Sequence, residues 1–247
     1  MSELLREHYT RLAEKYDDFL YYSPVFVRAL TMKIVEKLEL QPDDVLLDLA
    51  CGTGMYSVDI LKQVSLKRPV QAVDPFAEML AAIPAGCGLT PICMDALAYS
   101  ENHNGYTKAF MKEAVHHVDD KAQLFANIYA SLPKGGAFLL VHVPPTIRYP
   151  LFDAALERAL NWHACPDELQ AMLRDAGFTV EHDFLEYPHA IPKVKYFAMV
   201  ESQYMTLLSS FSPEELAAGL REMEARYMDE EVLEFVDHFD FITARKV

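Results

Sequence analysis

The sequence has little basic charge and no long hydrophobic run. It carries 22 Lys and Arg against 37 Asp and Glu in 247 residues, which gives a formal net charge of −15 at pH 7. Nucleic-acid-binding proteins usually present a basic face, because neutralising phosphates dominates their affinity. No run rich in Lys or Arg is present, so we expect no nucleic-acid partner. No stretch approaches the roughly 20 apolar residues needed to span a bilayer, so we expect no membrane partner.

Cysteine is scarce, and the N-terminus lacks the pattern of an export signal. The four cysteines are Cys51, Cys87, Cys93 and Cys165, and none forms a Cys-x-x-Cys pair. Residues 1–6 do not combine a basic segment with a following apolar core. We therefore expect a cytoplasmic protein with free thiols. No spacing of His and Cys residues favours a metal site, so we predict none.

Short apolar runs alternate with helical patterns through the middle of the chain. We predict strands at 45–49, 70–73, 89–93, 108–111 and 137–143, with helices at 55–64, 75–82 and 119–132 between them. This alternation is typical of a parallel sheet covered on both faces. The predicted fold class is α/β, with a doubly wound, mostly parallel, seven-stranded Rossmann-like sheet.

Helical additions flank this core. The first 40 residues predict two helices, and Leu5, Tyr9, Leu12, Tyr16 and Phe19 form the apolar stripe of the first. Further along we predict a helix at 166–176, a strand at 179–187, helices at 193–209 and 213–227, and a last strand at 239–244. We expect one domain over 1–247, with a helical lid at 1–40, a cofactor-binding core at 41–188, a helical cap at 189–230 and a final strand at 231–247.

A glycine-containing run, Asp-Leu-Ala-Cys-Gly-Thr-Gly at 48–54, follows the first predicted strand. Such loops let a ligand approach the backbone at the carboxyl edge of a sheet. Asp74 lies 22 positions after Gly52, at the tip of the second strand, where a carboxylate can accept hydrogen bonds from a ribose diol. The dinucleotide motif needs a third glycine, which is missing here, and Asp48 would repel a pyrophosphate. A cofactor with an ammonium and a sulfonium fits the charge better, which favours S-adenosylmethionine over NAD.

The same run resembles the first motif of class I S-adenosylmethionine-dependent methyltransferases, especially the small-molecule group. Later motifs of that family are matched by Ala-Val-Asp-Pro-Phe at 72–76, Cys-Met-Asp-Ala at 93–96, the segment 110–118 and Leu-Pro-Lys-Gly-Gly at 132–136. Tyr-Asp at 16–17 resembles the family's N-terminal lid. The resemblance implies S-adenosylmethionine as cofactor, with S-adenosylhomocysteine as product. It also implies the residues that hold the cofactor: Tyr16, Asp48, Ala50, Gly52, Gly54, Asp74, Pro75, Met79, Asp95, Ala96 and Lys112.

Two of these assignments have alternatives. The resemblance places the Asp95 side chain on the exocyclic amine of the adenine, with the backbone of Ala96 nearby, and the alternative role for Asp95 is to cap a helix. Lys112 is either a cofactor contact or a solvated or salt-bridged side chain.

Two neighbouring histidines, His116 and His117, follow the fourth strand at the carboxyl edge of the sheet. An unperturbed histidine titrates near neutral pH, so either can act as the base that an oxygen or protonated nitrogen nucleophile requires. We prefer His117 as the catalytic residue and His116 as the second candidate. The alternative role for both is contact with the substrate. His142, at the end of the fifth strand, is a weaker candidate for the base.

Substrate selection is expected to lie in the additions to the core. Tyr196 and Tyr204 in the cap and Arg148 after the fifth strand are predicted to contact the substrate together with the two histidines. The alternatives are helix packing for the tyrosines and solvent exposure for Arg148.

The predicted activity is in-line transfer of a methyl group from S-adenosylmethionine to an N, O or S atom of a small molecule, by a monomer or homodimer. A catalytically silent S-adenosylmethionine-binding protein and a nucleotide-dependent oxidoreductase are the alternatives. A thiol- or metalloid-directed enzyme would need clustered cysteines.

Overall fold

A mixed sheet forms the centre of the molecule. The computed structural model describes residues 3–13 and 23–247. The strands are β1 (Leu46–Leu49), β2 (Val70–Asp74), β3 (Leu89–Cys93), β4 (Lys108–Lys112), β5 (Ala137–His142), β6 (Thr179–Pro192) and β7 (Val232–Arg245). They form one seven-stranded sheet in the order β3-β2-β1-β4-β5-β7-β6. The first five strands pair in parallel, and β7 runs antiparallel to both of its neighbours. The predicted fold class is confirmed.

Helices cover both faces of the sheet. Leu30 and Ile34 pack into the core on one face, and Leu124 and Phe125 pack into the core on the other. Among the described helices, none has the length and apolar character needed to cross a bilayer. The helices are α1 (Glu3–Leu12), α2 (Pro24–Leu38), α3 (Met55–Leu61), α4 (Ala77–Ala81), α5 (Ala96–Asn102), α6 (Lys121–Ser131), α7 (Asp153–Trp162), α8 (Pro166–Asp175), α9 (Lys193–Glu201) and α10 (Pro213–Arg226).

The strand order reverses at β1, and this reversal determines where the loops at the carboxyl edge of the sheet meet. β1 pairs with β2 on one side and with β4 on the other. Every residue of β1 is buried, including Asp48, since helices cover the strand on both faces. Open α/β sheets bind ligands at the carboxyl ends of the strands beside such a reversal. The loops after β1, β2 and β4 therefore meet at one place.

The N-terminal helices agree with the sequence in their described parts. Helix α2 begins at Pro24, where the Ser23 hydroxyl accepts a hydrogen bond of 3.2 Å from the amide of Phe26. Proline suits this first turn because its missing N–H would have no partner there. Helix α1 ends at Leu12. The last two residues of the predicted stripe, Tyr16 and Phe19, lie outside the described residues.

The C-terminal third departs from the predictions. Strand β6 continues to Pro192 and β7 begins at Val232, and the two residues pair, so the strands form a long antiparallel ribbon. A predicted helix over 193–209 is wrong in its second half, because α9 ends at Glu201. Helix α7 was not predicted: its buried residues are only Ala155 and Ala159, so its apolar stripe is weak.

The segment 193–231, between β6 and β7, carries α9 and α10. A capping box starts α10: the Ser212 hydroxyl accepts from the Glu215 amide, and the Glu215 carboxylate accepts from the Ser212 amide. Gly219 of α10 is buried against Phe152, and a Cβ at this position would lie 2.4 Å from the Phe152 Cγ. A residue without a side chain is therefore required where the helix meets this ring.

We predict that Gly219→Ala destabilises the protein although alanine favours helices. The added methyl must displace the buried Phe152 ring, and overpacking of this kind costs roughly 1–3 kcal/mol. Chemical denaturation measures the free energy of unfolding. Ala218→Ser, which adds one atom at an exposed position of the same helix, is the control. Equal stability of the two variants would contradict the packing described here.

Candidate active site

A cavity of about 370 Å³ opens at the carboxyl edge of the sheet. Its volume is in the range of small-molecule sites. Residues at the ends of β1, β2 and β4 form its floor, and residues of α1, α9 and the β6–β7 ribbon also line it. The predicted cofactor residues that line this cavity are Asp48, Ala50, Gly52, Asp74, Pro75, Met79, Asp95, Ala96 and Lys112.

Two predicted cofactor residues are not in this lining. Tyr16 lies outside the described residues. Gly54 is the N-cap of α3 and adopts a left-handed backbone with φ of 74°. A Cβ at Gly54 would lie 2.6 Å from the Leu89 Cδ2. Gly54 is thus needed to shape the turn into α3 rather than to face the cavity.

Hydrogen bonds fix the two aspartates at the ends of β1 and β2. The amides of Gly52 and Phe76 each donate to the Asp74 carboxylate, at 2.9 Å to Oδ2 and to Oδ1. The Ser57 hydroxyl donates to the Asp48 Oδ2 at 2.6 Å. Both carboxylates therefore have one orientation, set by the backbone and by α3.

These aspartates lie in surroundings that disfavour their charge. Burial raises the pKa of Asp48 to about 7, and the neighbouring Asp74 raises it further while the Ser57 hydrogen bond opposes the shift. Burial likewise raises the pKa of Asp74 to about 6, against the two amide hydrogen bonds. Ligand groups that donate hydrogen bonds or carry positive charge would relieve this cost.

Lys112 and Glu113 place opposite charges at the end of β4. The Lys112 Nζ lies 4.5 Å from the centre of the Tyr56 ring and 5.2 Å from that of Phe239. Burial lowers the pKa of Lys112, and the carboxylates of Glu113, Asp237 and Asp48 oppose that shift. Glu113 accepts a hydrogen bond of 2.7 Å from the Val143 amide. Lys112 thus interacts with carboxylates from β1, from the end of β4 and from β7.

Asp95 caps a helix, which was its alternative role, and it also lies in the cavity lining, where the cofactor residues were predicted. Its Oδ1 accepts from the Ala98 amide at 2.9 Å and so caps α5. The residue also lines the cavity. The two roles are compatible, because a carboxylate has several acceptor positions.

The histidine pair lies in a short 3-10 turn, Val115–His117, directly after β4. The two rings are 3.9 Å apart, and both residues line the cavity. Burial lowers the pKa of His117 to about 4, with His163 and Lys121 adding to the shift. The Nε2 of His117 is buried and has no hydrogen-bond partner among the described residues. His117 is therefore a neutral imidazole in the cavity lining, with its Nε2 enclosed by protein.

The predicted substrate residues divide into two groups. Tyr196 and Tyr204 line the cavity together with the histidine pair. Arg148 is exposed and is not in the lining, so it takes the solvent-exposed alternative. His142 is buried, with its Nδ1 3.1 Å from the Val143 carbonyl oxygen, and it too is outside the lining.

Several lining residues were missed by the sequence analysis. Trp162 and His163, at the end of α7, line the cavity, and the His163 ring lies 5.2 Å from that of His116. The ribbon contributes Asp237, whose Oδ2 is 2.7 Å from the His189 Nε2. The register of two long strands creates this contact between residues 48 positions apart. Only the alternation of polar and apolar residues along the ribbon could have indicated it.

Comparison with known proteins agrees with this site. A family model described as a methyltransferase domain matches residues 46–136. Phosphoethanolamine N-methyltransferase 3 of Arabidopsis thaliana is 26% identical over 198 residues, which are 75% of this chain and 39% of that protein. The chain thus spans well under half the length of this plant relative. Demethylmenaquinone methyltransferase of Symbiobacterium thermophilum is 26% identical over 220 residues, covering 74% of this chain and 87% of that protein.

A solved structure shares the fold. Haemonchus contortus phosphoethanolamine N-methyltransferase 2, in complex with phosphomonomethylethanolamine and S-adenosylhomocysteine, aligns with a TM-score of 0.63 and 16% identity, over 100% of this chain and 60% of that chain. The family match covers the strands and loops that build the cavity floor. Residues 46–136 therefore match a methyltransferase domain, and the relatives and the shared fold support a class I S-adenosylmethionine-dependent methyltransferase.

Proposed function

We propose that this protein transfers a methyl group from S-adenosylmethionine to an N, O or S atom of a small molecule by in-line displacement. One observation carries the proposal: Asp48, Asp74 and Asp95, from three successive strand ends, line one cavity together with His117. The names of the two curated relatives point to small-molecule acceptors, which supports the acceptor class.

The first two aspartates suit a nucleoside that carries positive charge. Asp74, held by the Gly52 and Phe76 amides, would accept hydrogen bonds from a ribose diol. Asp48 would attract an ammonium, and its raised pKa fits a site whose counter-charge comes with the ligand. S-adenosylmethionine supplies, when bound, a methyl group activated by a positive sulfur.

The glycine loop and Asp95 would complete the cofactor site. Gly52 has a φ of 57°, and a Cβ there would lie 3.4 Å from the Met79 Cε, so its bare backbone keeps this part of the cavity open. Asp95 would accept a hydrogen bond from the adenine amine at a position that the Ala98 amide does not use.

His117 is the proposed general base. Its lowered pKa keeps the ring neutral at physiological pH, so the imidazole can take a proton from an acceptor hydroxyl or ammonium. The Tyr9 ring meets the His117 ring edge-on at 6.3 Å, and α1 thus helps to orient the base. The aromatic and apolar wall of the cavity would exclude water, which strengthens the electrostatic interactions within it.

Calorimetric titration tests the cofactor assignment. We expect S-adenosylmethionine and S-adenosylhomocysteine to bind and NAD not to bind. Asp74→Asn removes a charge-assisted hydrogen bond, so binding should weaken by about 10- to 100-fold. Asp43→Asn, at an exposed loop position, is the control and should bind like the unaltered protein. Failure of both sulfur nucleosides to bind the folded protein would refute the proposal, and binding of NAD would favour the oxidoreductase alternative.

We predict that Asp48→Asn stabilises the ligand-free protein. The folded-state pKa is raised from 3.8 to about 7, so ionised Asp48 costs stability, and this cost grows as the pH rises between these values. Removing the charge should raise the free energy of unfolding by roughly 2–4 kcal/mol at about pH 8 and by less at about pH 5. Denaturation at both pH values, with exposed Asp229→Asn as control, measures the effect. A larger gain at the lower pH would contradict this assignment.

We predict that His117→Gln lowers kcat and leaves cofactor affinity intact. Loss of a general base costs about 10²- to 10⁴-fold in rate. The assay follows labelled methyl from S-adenosylmethionine into an acceptor found by screening. His116→Gln tests the neighbouring candidate, and His103→Gln, outside the cavity lining, is the control. An unchanged kcat for His117→Gln would remove this residue from the chemistry.

A further inference from the structure

We propose that the acceptor carries a positively charged amine, held by Asp237 among aromatic rings, and that the same pocket excludes phosphate monoesters. The inference rests on the proposed function, since it concerns the acceptor half of the same cavity. Three independent features support it: the charges of the lining, the geometry of Asp237 and the rings around it.

Negative charge dominates the cavity lining. Among the described residues, six carboxylates line it and Lys112 is the only Lys or Arg that does. Asp48, Asp74 and Asp95 are assigned to the cofactor, and Asp119 is exposed. Glu113 and Asp237 remain, and both interact with the single Lys112. The acceptor half therefore has one carboxylate more than it has lysines, and a cationic ligand would balance this difference.

The Asp237 carboxylate is buried and is held in a fixed position by His189. It is buried to 2% exposure in β7, and the His189 Nε2 donates to its Oδ2 over 2.7 Å. His189 is itself held by rings on two sides, with Phe26 at 5.0 Å and Phe235 stacked at 5.1 Å. A carboxylate removed from water is costly unless it is paired and hydrogen-bonded. One oxygen has this fixed partner, and an ammonium ligand would add the opposite charge.

Aromatic rings line the cavity together with this carboxylate. Phe235, two residues before Asp237, lies 5.5 Å from Tyr149 and 5.5 Å from Tyr196, with both pairs T-shaped. All three rings line the cavity, together with Tyr204. Aromatic faces attract ammonium groups, most strongly where water is excluded. A carboxylate together with several aromatic rings is an arrangement that binds amines and quaternary ammonium ions.

Among the described residues of the lining, a phosphate would find no free basic partner. Phosphate recognition relies on Arg, on Lys or on amides at a helix N-terminus. Lys112 already interacts with three carboxylates and two rings, and Arg148 is exposed outside the lining. A dianion would be buried beside Glu113 and Asp237, and repulsion between like charges disfavours such a complex.

Binding of three probes to protein saturated with S-adenosylhomocysteine tests the inference. Choline carries the cation, 3,3-dimethylbutan-1-ol is its neutral isostere, and phosphocholine adds a phosphate. We expect choline to bind at least about tenfold more tightly than either of the others. Asp237→Asn, which still accepts the His189 hydrogen bond, should weaken choline binding by at least about tenfold and leave S-adenosylhomocysteine binding unchanged. Glu234→Gln, an exposed position of the same strand, is the control.

The outcomes separate this inference from the function it rests on. No binding of S-adenosylhomocysteine would refute the proposed function. Nucleoside binding with no preference for choline, tighter binding of phosphocholine, or unchanged choline binding in Asp237→Asn would overturn the inference alone. Phe235→Leu is a second variant that keeps an apolar side chain: it should weaken choline binding and leave that of the neutral isostere unaltered, and equal effects on both probes would count against the aromatic site.

Discussion

The hydrogen bond from the Gly52 amide to the Asp74 carboxylate ties the two cofactor-binding loops into one unit. It joins the loop after β1 to the end of β2 across 2.9 Å. A second backbone bond, from the Cys51 amide to the Val73 carbonyl oxygen at 3.0 Å, reinforces this junction. The backbone of the first loop can therefore shift only if Asp74 shifts with it. The open floor of the cavity, the orientation of Asp74 and the turn into α3 all depend on this contact.

The same junction explains why these two aspartates lower the stability of the protein when no ligand is bound. The sheet draws Asp48 and Asp74 into its buried edge, where burial raises the pKa of both carboxyl groups. Proteins commonly tolerate destabilising groups at functional sites, where such groups gain their partners on binding. Lys112 offsets part of this charge from within the chain, and its contacts extend to the acceptor side. The residues proposed for the cofactor and those proposed for the acceptor thus act on the same lysine.

The sequence predicted the first five strands well, because short apolar runs between turn residues are a local signal. It did not predict the length of β6 and β7. Polar residues such as His189, Glu234 and Asp237 interrupt the apolar pattern, and the pairing that stabilises the ribbon joins distant residues. Helix α7 escaped prediction because alanines supply its buried face.

The candidate site divides in the same way. The proposed cofactor residues come from compact motifs that follow successive strands. The order of these motifs along the chain was therefore enough to predict that the residues lie close together. Tyr196 and Tyr204 were selected as aromatic residues of a cap, and Arg148 was wrongly grouped with them because its position after β5 said nothing about its exposure. Trp162 and His163 have no local pattern that indicates a site. They face the cavity only because α7 packs where it does.

The ribbon has a consequence for how this protein can change over time. Pro192 and Val232 are paired, so the segment between them leaves and re-enters the fold at neighbouring points. Insertions with adjacent ends disturb a host domain little. His189, Tyr196, Phe235 and Asp237 all lie in or beside this segment, whereas the nucleoside-binding motifs lie between 48 and 118. Four of the residues proposed to bind the acceptor thus come from one contiguous stretch of the chain, which recombination could replace without altering the proposed cofactor motifs.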